Sequence, residues 1–79
     1  MIQLASSLRN LGEVGESVTL LTDELAAGPG ELEDELRAFL ALALSSAGRE
    51  REGVALALTA LAPHLTRYNR SLAAYARDL

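Results

Sequence analysis

The chain contains no cysteine, no lysine and no tryptophan. Without cysteine it can form no disulfide and offers no thiolate to a metal ion. Its aromatic residues are Phe39, Tyr68 and Tyr75. So few large rings imply a core made by close helix approach over alanine. Valine and isoleucine are scarce, which argues against strands. The apolar run Phe39–Leu44 falls far short of the roughly 20 residues a membrane-spanning helix needs. No charged segment followed by an apolar one opens the chain, so no signal peptide is visible. Together these absences lead us to expect a soluble, cytoplasmic protein with no membrane contact.

Charge of one sign is also in short supply. The net charge is −4, with seven cations, all arginine, against eleven acids. The distribution is uneven: residues 1–66 carry ten acids and four arginines, residues 67–79 one acid and three arginines. Nucleic-acid binding needs several phosphate-neutralising cations on one face, and an acidic chain does not favour it.

What the sequence has in excess is leucine and alanine, 31 of its 79 residues. Both favour helix, and alanine does so with no loss of side-chain entropy. The length suits one small domain, 1–79, of a size that buries only about 60% of its unfolded surface. Leu4, Leu8 and Leu11 have helical spacing in a segment 2–11, and Gly12 can end that helix in the left-handed cap conformation. A second helix is expected over about 15–27, with Val18, Leu21 and Leu25 on one side, before the breaker Gly28-Pro29-Gly30. A third opens with Glu31-Leu32-Glu33-Asp34-Glu35, acids suited to the positive end of a helix dipole, and runs to Gly48. A fourth spans about 50–62 with Val54, Leu58 and Leu61 along one face, and Pro63 stops it. A fifth is expected from Thr66, a candidate N-cap, to the end, carrying Leu72, Tyr75 and Leu79.

Two of these helix pairs repeat. Residues 4–28 laid on 40–64 give nine identities in 25 positions, among them Leu4/Leu40, Ala5/Ala41, Leu8/Leu44, Gly12/Gly48 and Val18/Val54. The glycines turn the chain within each pair, and a small residue, Ala5 or Ala41, marks a close helix contact. One pair cannot bury its own apolar face, so pairs stack.

The pattern resembles the tetratricopeptide repeat. The first copy matches at Leu4-Ala5, Leu8, Gly12, Leu21 and Pro29, with Ser17 where the family has alanine. The second matches at Leu40-Ala41, Leu44, Gly48, Ala60-Leu61 and Pro63, with Gly53 in place of alanine and Ala57 in place of a large residue. Stretches such as LASSLRNLG, LRAFLALAL and ALAPHLTRYNRSLAAYARDL are similar to a bacterial subgroup of short tetratricopeptide proteins that are longer at the N-terminus, so the chain looks like the C-terminal part of such a protein or a shortened product. The resemblance implies an all-α fold: repeat one over 2–29, repeat two over 31–63 and a capping helix over 66–79, in a short right-handed superhelical segment.

Little in the sequence points to chemistry. His64 is the only histidine, expected in a surface loop or at a helix start. The acids 31–35 read as helix-terminal charge rather than a metal cluster. Ser6, Ser7, Ser45 and Ser46 have no base placed beside them by any motif, and neither a phosphate-binding loop nor a nucleophile elbow is present. No enzyme activity, metal or cofactor is expected. The resemblance implies instead that the first helix of each repeat lines a concave groove that binds a protein or peptide. Carried over, the groove comprises Ser6, Arg9 and Asn10, then Glu35, Ala38, Leu42, Ser45 and Ser46. The fifth helix, in the place of a third lining helix, adds Arg67, Arg70, Ala74 and Arg77. Their guanidinium groups would favour an acidic peptide; alternatively Arg67 and Arg70 are solvated or pair with Glu35, and Arg77 complements the last-turn carbonyls. A second possibility is a structural self-association module, a homo-oligomer formed by dimerisation or helix swapping through an uncovered edge at Ile2, Leu4 and Leu8.

Overall fold

A computed structural model describes residues 2–28 and 30–79 of the chain. They form five α-helices: α1 (Ile2–Asn10), α2 (Val14–Ala26), α3 (Glu33–Ser46), α4 (Glu50–Leu61) and α5 (Asn69–Arg77), with a 3₁₀ turn, Ala62–His64, after α4. The fold is all-α, as expected, and no strand occurs among the described residues. Pro29, the closing proline of the first repeat, lies outside them.

The two glycine corners are built alike. Gly12 has φ +87° and Gly48 φ +78°, a region that glycine enters without steric cost. Past each glycine the chain closes the preceding helix in the same way. The Glu13 amide donates to the Leu8 carbonyl at 2.8 Å and the Arg49 amide to the Leu44 carbonyl at 2.9 Å. The glycine amides donate to the carbonyls of Arg9 and Ser45. This paired closure satisfies helix-terminal carbonyls that would otherwise lack donors.

Beyond each corner the returning helix crosses its partner at an equivalent point 36 residues apart. In the first hairpin Ser17, 1% exposed, donates its hydroxyl to the Ala5 carbonyl at 2.8 Å. In the second, Gly53 faces the Ala41 carbonyl so closely that a Cβ there would lie 2.8 Å from the oxygen. Two of the departures from the repeat pattern, Ser17 and Gly53, are therefore the contact points of the two hairpins.

One core joins the hairpins. Ala5, Leu21, Leu40, Ala43 and Leu44 are buried together, with Ile2, Val18, Leu20, Leu25, Leu36, Phe39 and Leu56 packed around them. α3 lies against both α1 and α2. α5 is placed differently: it packs on α4 and the 3₁₀ turn, and no Cα of it comes within 8 Å of α3. Ala62 and Ala76 are buried at the α5 end of the molecule.

Several expected faces are rotated or shifted. Leu4 and Leu11 are 54% and 79% exposed, and the buried residue of α1 is Ala5, because close approach at an alanine sets the helix orientation. On α4, Val54 and Leu61 are about half exposed, and Gly53 is the buried residue. On α5, Tyr75 is exposed while Ala76 is buried, and Leu79, beyond the helix, is exposed. α3 begins at Glu33, so Glu31 sits in the preceding turn and Glu33, Asp34 and Glu35 occupy the first helical turn. α5 starts at Asn69, not at Thr66. Its N-cap is Tyr68 in the left-handed region, φ 66°, and the Asn69 Oδ1 accepts from the Arg70 amide. α4 ends at Leu61, and the chain passes Pro63 in the 3₁₀ turn, with the Leu65 amide donating to the Ala62 carbonyl.

Candidate functional site

An apolar opening lies between α3 and α4. It is an open groove of about 400 Å³. Ala38, Leu42 and Ser45 line it from α3, and Val54 and Ala57 from α4, with Gly53 and Ala41 at its floor and Glu50 at one end. Its origin is the close crossing at Gly53. With no side chain at that position, the helices approach until the floor is nearly backbone, and the flanking residues stand as walls.

The 36-residue offset identifies what this groove is. Subtracting 36 from Ala41, Gly53, Val54 and Ala57 gives Ala5, Ser17, Val18 and Leu21 on the first hairpin. There the same positions are covered. Ala5 is 0% exposed, Ser17 1% and Leu21 1%. The cover is α3, whose Leu36, Phe39, Leu40 and Ala43 share one core with them. On the second hairpin nothing in the described chain takes the place of α3, because α5 packs on α4 without reaching α3. Val54 is accordingly 49% exposed, while its counterpart Val18 is packed against the core.

The sequence-derived groove is brought together only in part. Ala38, Leu42 and Ser45 line the α3–α4 opening. Glu35 and Ser46 are exposed elsewhere on α3, and Asn10 is exposed on α1. Ser6 and Arg9 are half-buried, and the Ser6 hydroxyl is shielded with no hydrogen-bond partner among the described residues. Arg67 precedes α5, so Arg67, Arg70, Ala74 and Arg77 do not share one helical face. Arg70 and Arg77 sit on a helix that does not meet α3. Among the described residues the ion pairs are Arg37 with Glu33 and Asp34, Arg49 with Glu52, and His64 with Asp34; the anticipated pairing of Arg67 or Arg70 with Glu35 is not formed. At the proposed edge, Ile2 packs against the core and Leu8 is half-buried, which leaves Leu4 as the exposed member. Glu50, Val54 and Ala57 were not among the expected site residues. The signal that finds them is the repeat itself, applied to the covering helix as well as to the hairpin.

Among the described residues, the ion pairs lie on the surface. His64 Nε2 lies 2.7 Å from Asp34 Oδ2 and ties the 3₁₀ turn to the start of α3, both side chains about half exposed or more. Arg49 and Glu52 form a close pair on the surface. Through that bond the Glu52 carboxyl is held below its ordinary range and the Arg49 guanidinium is raised. No group of three or more histidine, cysteine, aspartate or glutamate residues suited to a metal ion occurs among the described residues. No helix there is long and apolar enough to cross a membrane.

Two stacked helical hairpins, joined by one core and leaving an open hairpin face, define a helical-repeat protein. A model of the tetratrico peptide repeat family matches residues 1–79, and the chain belongs to that family. Comparison with curated proteins and with solved structures finds no match. Repeats of this family are typically non-catalytic scaffolds for contacts between proteins.

Proposed function

We propose that the chain is a non-catalytic scaffold that binds a helical segment of a protein partner in the α3–α4 groove. The observation that carries this reading is the unequal cover of two equivalent surfaces. The first hairpin buries Ala5 and Leu21 in the core it shares with α3 and packs Val18 against it; on the second their counterpart Ala41 is half-buried, and Ala57 and Val54 are exposed. Apolar area removed from water contributes roughly 25 cal/mol per Å², so an occupant that covers this face is stabilised there. Groove recognition by the apolar face of a helix is a common mode of protein binding. The preference for an acidic peptide was drawn from Arg67, Arg70 and Arg77 on one helix face; Arg67 lies before α5 and none of the three lines this groove, so acidity is not part of the proposal.

The direct probe is a labelled peptide of residues 33–47, the segment that already fills the equivalent groove. Its binding is followed by fluorescence anisotropy and its site by amide chemical shifts. Shift changes should concentrate on residues 38–45 and 50–57, and Val54→Glu should weaken binding by about tenfold or more, as expected when a charge is pressed into an apolar contact. Binding that is indifferent to Val54→Glu, or shifts confined to α1 and α2, would remove the reading.

A further inference from the structure

By the same 36-residue offset, α5 is the counterpart of α3. It begins at Asn69, the counterpart of Glu33, where α3 begins. The α3 residues in the core with the first hairpin are Leu36, Phe39, Leu40 and Ala43. The corresponding places in and just past α5 carry Leu72, Tyr75, Ala76 and Leu79. All four are apolar or aromatic, yet Tyr75 is 71% and Leu79 44% exposed, because α5 packs on α4 and does not reach α3. The N-caps of the two helices differ in one torsion. Leu32, before α3, has φ −105° and ψ 25°; its counterpart Tyr68, before α5, has φ 66° and ψ 13°. Among the described residues Tyr68 is the one with positive φ that is not glycine. Its side chain is exposed, so no packing compensates a backbone conformation that a Cβ disfavours. The turn before it is held in place, since His64 ties the 3₁₀ turn to Asp34 at the start of α3.

We propose that α5 is a hinged lid: rotation at Tyr68 carries it into the α3–α4 groove, where it covers Val54 and Ala57 and excludes a helical partner. A few loop residues that absorb a large backbone change are the usual hinge of such a movement. The movement stands on α5 and Tyr68; only the exclusion rests on the groove reading above. Side-chain size agrees with it. The groove has Gly53 and Ala57 where the first hairpin has Ser17 and Leu21, and the lid brings Leu79 where α3 brings Ala43. The outer side of the lid agrees as well. It carries Arg77 and Asp78 where α3 has the groove residues Ala41 and Leu42, so a seated α5 presents charge outward and makes no second apolar groove. The groove then alternates between two states, open with α5 on α4 and closed with Tyr75 and Leu79 inside.

The chain has no cysteine, so an introduced pair reports the movement directly. Leu36 borders one cavity with Ile2 and Gln3, which sets Phe39, about one turn along, level with Ser6; the counterparts of Phe39 and Ser6 are Tyr75 and Leu42. A disulfide needs Cα atoms within about 7 Å, and no Cα of α5 lies within 8 Å of α3. Leu42→Cys with Tyr75→Cys therefore bonds only when the lid closes. Leu42→Cys with Ser71→Cys, an exposed position elsewhere on α5, is the control. In dilute protein under a glutathione buffer the first pair should form its intramolecular disulfide roughly tenfold faster than the control. Tyr68→Val, which resists positive φ, should raise that rate by roughly fivefold, and Tyr68→Gly, which accepts it, should lower it by a similar factor. Binding of the 33–47 peptide should move the opposite way, weaker for valine and tighter for glycine, because only the open population binds. Circular dichroism checks that helicity is retained. Equal rates for the two pairs, or rates indifferent to residue 68, overturn the lid. Rates that respond while peptide binding does not overturn the exclusion and leave the groove reading standing. A peptide that binds neither the wild type nor Tyr68→Gly removes the groove reading, and the disulfide rates then decide the movement by themselves.

Discussion

The two hairpins share a turn, a crossing point and a register, yet one is finished and the other is not. In the first, α1 and α2 meet at Ser17 and Ala5 through a hydroxyl bonded to a backbone carbonyl, and α3 seals the outer face. In the second, α3 and α4 meet at Gly53 and Ala41 with no side chain between them, and the outer face is open. The contrast separates two things that repeat sequences tend to merge. Closing a hairpin requires a small residue at the crossing. Covering it requires a further helix, and its absence leaves surface that the same residue types bury elsewhere in the chain.

The sharpest break of this comparison is a matched pair of truncations and extensions. Leu21 is 1% exposed in the shared core, so Leu21→Ala should cost about 2–5 kcal/mol of unfolding free energy, the range for deleting a buried leucine side chain. Its counterpart Ala57 lies on the open groove. Ala57→Leu should change stability by no more than about 0.5 kcal/mol, as for an exposed substitution. Urea unfolding of the two variants checks both numbers. A large gain from Ala57→Leu would mean that the groove is already covered in solution.

A smaller effect distinguishes two helical glycines. A Cβ at Gly53 would sit 2.8 Å from the Ala41 carbonyl oxygen, an atom of the backbone that cannot swing aside. Alanine gains about 1 kcal/mol of helix propensity over glycine, but forcing the helices apart costs about 1–3 kcal/mol. Gly53→Ala should therefore be net destabilising, lowering Tm by several degrees on the scale of about 4–8 °C per kcal/mol for a domain of this size. Gly15, in α2, has open space where its Cβ would be, so Gly15→Ala should raise Tm. Opposite signs from the same exchange would establish that the crossing, not glycine as such, is what the second hairpin requires.

How far the sequence alone reaches follows from the same particulars. The helix pairs, the glycine corners and the 36-residue register were legible because each depends on local chemistry: leucine spacing, a left-handed cap, a breaker. The faces were less legible. Reading the largest apolar residues as the core places Leu4, Leu11, Val54, Leu61 and Tyr75 inside, whereas alanine and glycine at the crossings decide which side turns inward. The place of α5 was not legible either. Its start depends on Tyr68 taking a left-handed conformation, which sequence propensity disfavours, and its docking on α4 rather than α3 is a tertiary choice. The groove residues Ala38, Leu42 and Ser45 were anticipated, while Glu50, Val54 and Ala57 required knowing which surface α3 covers.

The hydroxyl at the first crossing gives a more modest test. Ser17→Ala keeps the Cβ and removes the buried donor to the Ala5 carbonyl. The expected loss is about 0.5–1.5 kcal/mol, the net value of an intramolecular hydrogen bond, read as a shift of the urea midpoint without change of slope. No loss would mean that packing around the Cβ alone closes the first hairpin, as backbone contact closes the second.

The smallest effect concerns the entry to each returning helix. The second hairpin carries Arg49 and Glu52, three residues apart and paired; the first carries Glu13 and Glu16 at the equivalent positions, two like charges. Bonding to Arg49 lowers the Glu52 carboxyl in the folded state. A group whose folded value is depressed stabilises the fold above its unfolded value and loses that contribution as the pH falls through the folded one. Stability should therefore decline slightly from neutral pH into the acid range on account of this residue, and Glu52→Gln should flatten that part of the profile. The pair is exposed and screened by water and salt, so the flattening should be small and should shrink further as salt is added. A Glu52→Gln profile that keeps the wild-type slope at low salt would mean that the pair holds nothing in solution, and that the two hairpins enter their second helices on equal terms despite their opposite charge patterns.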